Sequence, residues 1–134
     1  MRRRGLRRGA PGQTIVEFAL TILVFLGLVF AIADFALWLH AQNAATGAAQ
    51  LAAATAARED GTPEAGQLAG QNFLRAALGT SAGRVAMSVQ VSADVASATA
   101  SGTWTISPLG EHMSVPILAT ATVTRERFRP QGGT

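Results

Sequence analysis

The sequence predicts an α+β fold: a long N-terminal helix of membrane length, a short second helix, and a small antiparallel sheet of about three strands. Three observations predict it. Residues 18–33 (FALTILVFLGLVFAIA) are sixteen consecutive positions without a charge, an alanine-rich stretch prolongs that helix, and after Gly83 the apolar period changes from 3.6 to 2. The chain has 134 residues, 49% hydrophobic and 14% charged. An average soluble domain has roughly 25% charged residues, so part of this chain is not built for water. The length allows about one small domain and excludes a large multidomain enzyme. Absence of cysteine excludes disulfide staples, thiolate zinc sites and cysteine nucleophiles.

The first element is the membrane-length helix. At ~1.5 Å per residue, Glu17 to Asp34 spans roughly 25 Å, close to the ~30 Å of hydrocarbon in a bilayer. Trp38 is expected at the far interface, where an indole is favoured. The net charge of +3 is a property of the leader: five of eleven arginines (Arg2, Arg3, Arg4, Arg7 and Arg8) precede the helix, and from Gln13 onward six arginines meet eight acids. With no aromatic residues interleaved, this basic cluster does not predict a nucleic-acid partner. It predicts orientation in membrane lipid, with the N-terminus cytoplasmic and the C-terminal part outside. The expected organisation is a basic leader over 1–12, a transmembrane half-helix over 13–40, an extracytoplasmic α+β domain over 41–129, and a disordered tail over 130–134.

Beyond the membrane, AQNAATGAAQLAAATAAR (41–58) contains no proline and one glycine, so the helix continues to about Arg58. Its Ala/Leu face around Leu51 is narrow and suited to close packing. Glu59-Asp60-Gly61 ends it. Thr62-Pro63-Glu64 starts the second helix with a hydroxyl cap, a proline at the first helical position and an acid in the first turn. Ala65, Leu68, Ala69, Phe73, Ala76 and Ala77 give that helix an apolar stripe ending at Gly79. The alternation of Val85, Met87, Val89, Val91, Ala93 and Val95 predicts a strand whose buried face covers the helix around Leu51. A weaker strand is predicted over 99–106 around Trp104. Pro108-Leu109-Gly110 turns the chain, and 115–128 alternates again through Ile117, Ala119, Ala121 and Val123.

The sharpest functional signal is the junction Gly12-Gln13-Thr14-Ile15-Val16-Glu17-Phe18, lying between the arginines and the unbroken apolar helix. It resembles the class III signal of type IV prepilins. The resemblance implies that a membrane aspartyl prepilin peptidase cuts between Gly12 and Gln13, leaving Glu17 as the fifth residue of the mature chain. Glycine before the scissile bond suits an extended cleft, and a glutamate at the start of an apolar helix is costly unless paired. In prepilins that carboxylate is held to meet the N-terminal ammonium of a neighbouring subunit, which gives Glu17 a register-setting role. QTIVEFAL (13–20), the alanine-rich run ending in TAARED (55–60), and ATATVTRER (119–127) with its Arg125-Glu126 pair are together similar to the TadE/TadG-like family of the Tad (Flp) pilus apparatus. Major Flp pilins are shorter and usually carry tyrosine where this chain has Phe18. The resemblance therefore implies a pilin-like fold and a minor pilin or pseudopilin of the bacterial inner membrane. Its partners would be the peptidase, other pilins or pseudopilins and the inner-membrane assembly platform.

Two other readings share parts of this pattern. An uncleaved single-pass scaffold or sensor module needs the same anchor. A secretory signal cut near Leu39-His40-Ala41 has the same basic start, though its apolar core typically runs ~7–15 residues. Other polar groups have structural explanations: Asp34 as an interfacial acid, and Glu59, Asp60 and Glu64 as capping and dipole-complementing groups. His40 and His112 lack ligand spacing. No nucleophile elbow or phosphate loop is present, so neither an enzyme nor a metal or other cofactor is expected.

Overall fold

The computed structural model describes residues 11–107 and 112–125. The expected leader arginines, the turn at 108–110, Glu126 and Phe128, and the tail over 130–134 lie outside the described residues. The chain forms α1 (Pro11–Ala57), α2 (Pro63–Leu78), a 3₁₀ segment (Gly79–Arg84), and the strands β1 (Val85–Val91), β2 (Val95–Ile106) and β3 (Met113–Thr124). The strands make one antiparallel sheet in the order β1-β2-β3. The layout is the α+β one read from the sequence.

α1 is one unbroken helix of 47 residues, roughly 70 Å at 1.5 Å per residue. Its two halves differ in surroundings. From Ile15 to Leu39 the large apolar side chains are exposed, Ile15 at 69% and Phe30 at 61%. The most apolar 18-residue window of this helix buries none of its length within the protein and is long enough to cross a membrane. From Ala41 onward, Ala41, Ala45, Ala48, Ala49, Ala52, Ala53 and Ala56 are all at 0% exposure. That i, i+3, i+4 pattern packs against Ala98, Ala100, Ile117 and Ala119 of the sheet. Alanine on both surfaces lets helix and sheet approach closely, and among the described residues Leu74 and Ile117 are the largest fully buried side chains.

The expected Ala/Leu face is therefore an alanine face, with Leu51 left 41% exposed. Nor is β1 its main cover: β2 and β3 lie over most of it, and β1 packs chiefly on α2 and only in part on α1. A Cβ built on Gly66 would fall 3.4 Å from Val89 Cγ1, and one on Gly70 would fall 2.9 Å from Met87 Cε. The predicted stripe of α2 is likewise rotated: the buried residues are Gly66, Gly70 and Leu74, while Leu68 is 55% and Phe73 39% exposed. Physically, α2 crosses α1 on its glycines. The same two Cβ atoms would stand 2.6 Å and 3.2 Å from the carbonyl oxygens of Ala52 and Ala48; the first separation admits no larger side chain, and the second is tight. Leu68 is turned outward by that contact, while Phe73, 39% exposed, lays its ring over Gly47 of α1, where a Cβ would stand 3.0 Å from its Cε1 and Cζ.

α2 begins and ends as read. Thr62 accepts the Ala65 amide on its hydroxyl at 3.1 Å, and Gly79 stops the helix with φ +56°, a left-handed backbone that favours glycine. β1, however, ends at Val91 rather than running through Val95. The Ser92 amide donates to the Val95 carbonyl at 2.8 Å, closing a hairpin over Ala93 and Asp94. A two-residue loop keeps the odd numbering in step, so the alternation passes through the turn unbroken while the exposed side changes. Val95 belongs to β2, whose buried positions are Ala96, Ala98 and Ala100. Gly102, opposite Val85, is where β2 meets the Arg84 carbonyl too closely for any Cβ.

Candidate functional site

Gly12 and Gln13 lie in the first turn of α1. A Cβ on Gly12 would meet nothing within 4 Å, so among the described residues no packing demands glycine there. Glu17 is exposed one turn later. Its Oε1 accepts from Gln13 Nε2 at 3.4 Å, and its carbonyl accepts from Thr21 Oγ1 at 2.8 Å. Phe18 projects outward at 67% exposure. The segment thus presents a glycine and a carboxylate in the first two turns of a helix whose apolar side chains are uncovered. The orienting arginines lie outside the described residues.

A second polar constellation lies where the apolar half of α1 meets the sheet. Asp34, Trp38 and Gln42 follow one another at i, i+4, i+8, a single line on the helix. Asp34 Oδ2 accepts the Ser107 amide at 3.0 Å. The Trp38 indole donates to the Pro116 carbonyl at 3.3 Å. Gln42 uses its whole amide: Nε2 donates to the Leu118 carbonyl at 2.7 Å, and Oε1 accepts the Leu118 amide at 3.3 Å. The bonds to Pro116 and Leu118 fasten the outer edge of β3 to the helix, and the bond to Ser107 holds the chain just beyond the end of β2. Trp38, expected at the far membrane interface, is half-buried against the β3 edge, with its ring 5.6 Å from that of Phe35.

Gln42 carried no sequence signal, because a glutamine bonded to main chain 76 residues away leaves no local pattern. The histidines stay apart: His40 Nε2 lies 3.3 Å from the Ala77 carbonyl, and His112 Nδ1 lies 2.9 Å from Ser107 Oγ. Among the described residues no three His, Cys, Asp or Glu side chains gather into a possible metal site. Arg84 lies 5.6 Å over the Trp104 ring, a cation–π contact at the start of β1.

Comparison with known proteins bears on the first of these two regions. No curated protein and no solved structure matches the chain. A family model does match, and its span starts at Gly12 and covers the apolar helix and most of the alanine face. Over residues 12–54 the chain matches the family described as TadE-like protein, the family that its sequence resembles.

Proposed function

We propose that this chain is a minor pilin or pseudopilin that takes part in assembly of a Tad-type pilus. It is inserted with its N-terminus in the cytoplasm, cut by a prepilin peptidase after Gly12, and held by α1 in the inner membrane until it joins other pilins on the assembly platform. The observation that carries this reading is the family match beginning at Gly12 on an uncovered, membrane-length helix. Two features support it. Among the described residues Gly12 has no packing role, which is compatible with a glycine read by a peptidase. Asp34 and Trp38 are bonded to the sheet, which favours retention of the apolar half over a signal discarded near Ala41.

In this reading the first turn of α1 unwinds into the peptidase cleft, a small step for an exposed helix end. Cleavage makes Gln13 the N-terminus and gives it an ammonium group. Glu17 then supplies a carboxylate at the membrane face, able to pair with the ammonium of a neighbouring subunit and so set register. The role is structural assembly, and none of its steps calls on a cofactor.

The test is the intact mass of the chain extracted from membranes of a host carrying a matching prepilin peptidase. The expected species begins at Gln13. Gly12→Trp is expected to leave a full-length precursor, since the indole obstructs the cleft. Glu17→Gln is expected to be cut normally while its incorporation into pili falls. A wild-type chain that stays full length in the presence of the peptidase would overturn the reading in favour of an uncleaved anchored module. A chain beginning near Gln42 would show that the apolar segment is a discarded signal.

A further inference from the structure

The side to which each main-chain group of the sheet points follows from one side chain. Gln42 takes both the amide and the carbonyl of Leu118, so both groups point away from β2. Along an antiparallel strand successive residues present these groups to alternate sides. Pro116, Leu118, Thr120, Thr122 and Thr124 therefore turn theirs to the free side of β3. Ser101, opposite Leu118, turns its groups toward β1, where it faces Ala86. Ala86, Ser88 and Gln90 are thus bonded to β2, and Met87, Val89 and Val91 present their groups to the free side of β1. Two independent features agree. The Val85 amide bonds back to the Ala82 carbonyl rather than to β2, and a proline occupies position 116, where no ladder N–H is needed.

The two edges are treated differently. On β3, α1 covers Pro116 and Leu118 through Trp38 and Gln42. Farther along, among the described residues, the free-side groups of Thr120, Thr122 and Thr124 have no partner, and neither do those of Met87, Val89 and Val91 on β1. Bare edges of this kind are templates for strand addition. We propose that they complete each other: β1 of one copy adds in parallel to the far half of β3 of a neighbouring copy, with Val89 opposite Ala121, so that copies standing side by side share one continuous sheet. The proposal rests on the anchoring by α1 in the reading above and does not depend on cleavage after Gly12.

Direction selects this partner. α1 and β3 run the same way, from Trp38 beside Pro116 to Ala57 beside Val123. β1 also runs that way, since both outer strands are antiparallel to β2. Copies anchored in one membrane by α1 share its direction. Antiparallel pairing of two β1 edges would reverse one helix, whereas parallel pairing of β1 with β3 keeps both upright. The alternation of side chains agrees as well. In a parallel pair, a residue bonded through both groups reaches the two residues flanking the one opposite it, so Val89 reaches Thr120 and Thr122. Val89 and Ala121 both face the helices, and the cores of the two copies therefore stay on the same side of the joined sheet.

Charge agrees with the same register. Glu64 lies on the α2 line that continues through Gln67 and Gln71, which border a groove of about 530 Å³ along Val85, Ala86 and Met87. Because Gly66 sits on Val89, Glu64 lies farther along, toward the Val91 end of β1. Arg58 borders a cleft of about 310 Å³ beside Val123 and Thr124 at the β3 edge. Both side chains are exposed and, among the described residues, neither is in an ion pair. Placing Val89 opposite Ala121 places Val91 opposite Val123 and brings Glu64 of one copy toward Arg58 of the next.

The chain has no cysteine, which makes the test direct. Chains carrying Ser88→Cys and Thr120→Cys, with different tags, are co-expressed in membranes and oxidised. These two positions share the outer face and become opposite each other at the joined edge. Within one chain both lie across from Thr99, two strand spacings or roughly 10 Å apart and beyond disulfide reach. The expected result is a mixed dimer that is absent when Ser88→Cys is paired with Thr103→Cys in mid-sheet. Val89→Pro removes only the outward N–H and is expected to abolish the dimer while membrane insertion persists. Glu64→Arg is expected to reduce it, and Arg58→Glu in the same chains to restore it. A mixed dimer no more abundant than the mid-sheet control, or dimers formed chiefly by Ser88→Cys alone, would overturn the proposal. Because the readout is the same for cut and uncut chains, its failure is distinguishable from failure of processing.

Discussion

Gly66 and Gly70 are one turn apart on the same face of α2, yet their neighbours differ in a way that ranks them. A methyl group at 66 would meet the Ala52 carbonyl oxygen at 2.6 Å and the Ala56 Cβ at 2.9 Å. Neither can rotate away, since one is helix backbone and the other a Cβ. At 70 the nearest atom, at 2.9 Å, is the end of the Met87 side chain, the most adaptable of apolar groups. Overpacking of this kind costs about 1–3 kcal/mol, and the higher end is expected for Gly66→Ala. Gly70→Ala is expected to cost less, because Met87 can shift and alanine is the better helix former. Denaturant unfolding of the full chain in detergent, followed by the fluorescence of Trp38 and Trp104, measures both. Equal losses, or a larger one at 70, would mean that Gly66 does not set the crossing of the helices.

Between the two helices, the start of α2 rests on a single side chain. Thr62 is the N-cap, Pro63 takes the first helical position, and Glu64 faces the positive end of the helix dipole. Thr62→Ala is expected to destabilise the domain by about 1 kcal/mol and Thr62→Ser to cost much less. An equal loss for both, in the same unfolding measurement, would remove the hydroxyl from that role. This boundary was legible in the sequence because capping is chemistry within three residues. The alanine face was legible for a similar reason, since its i, i+3, i+4 repeat is local. The end of β1 was not, because a two-residue turn at Ala93 and Asp94 leaves the odd-numbered alternation intact while reversing its meaning. The packing face of α2 was misread because hydrophobic periodicity favours Leu68 over Gly66 and Gly70, whereas the contact is governed by how near two backbones can come. The proposed processing segment, Gly12 to Phe18, is read from a local motif. The bonds from Asp34, Trp38 and Gln42 to the sheet join positions more than 70 residues apart and could be seen only in three dimensions.

For the whole molecule, α1 belongs to two environments at once. Its first half offers bare apolar side chains, its second half is the floor of the folded domain, and Asp34, Trp38 and Gln42 bridge the junction along one helical line. The core itself begins at Ala41, so a chain starting at residue 41 retains the alanine face, α2 and all three strands. It loses the carboxylate that holds Ser107 and the indole that holds Pro116, but it keeps Gln42 on Leu118. Such a chain is expected to fold in water, with the tip of the β2–β3 hairpin loosened and the sheet centre unchanged. Hydrogen exchange would locate the difference. The Ser107 amide and its neighbours near Ile106 and Met113 are expected to exchange faster than in the full chain, while amides that pair Ala100 with Ala119 keep their protection. Asp34→Leu in the full chain is expected to raise exchange at Ser107 with the rest of the edge retained, because it removes the acceptor and leaves Trp38 in place. If the shortened chain instead exchanged uniformly faster across β2 and β3, the apolar half of α1 would be contributing to the stability of the entire sheet rather than clamping one corner of it.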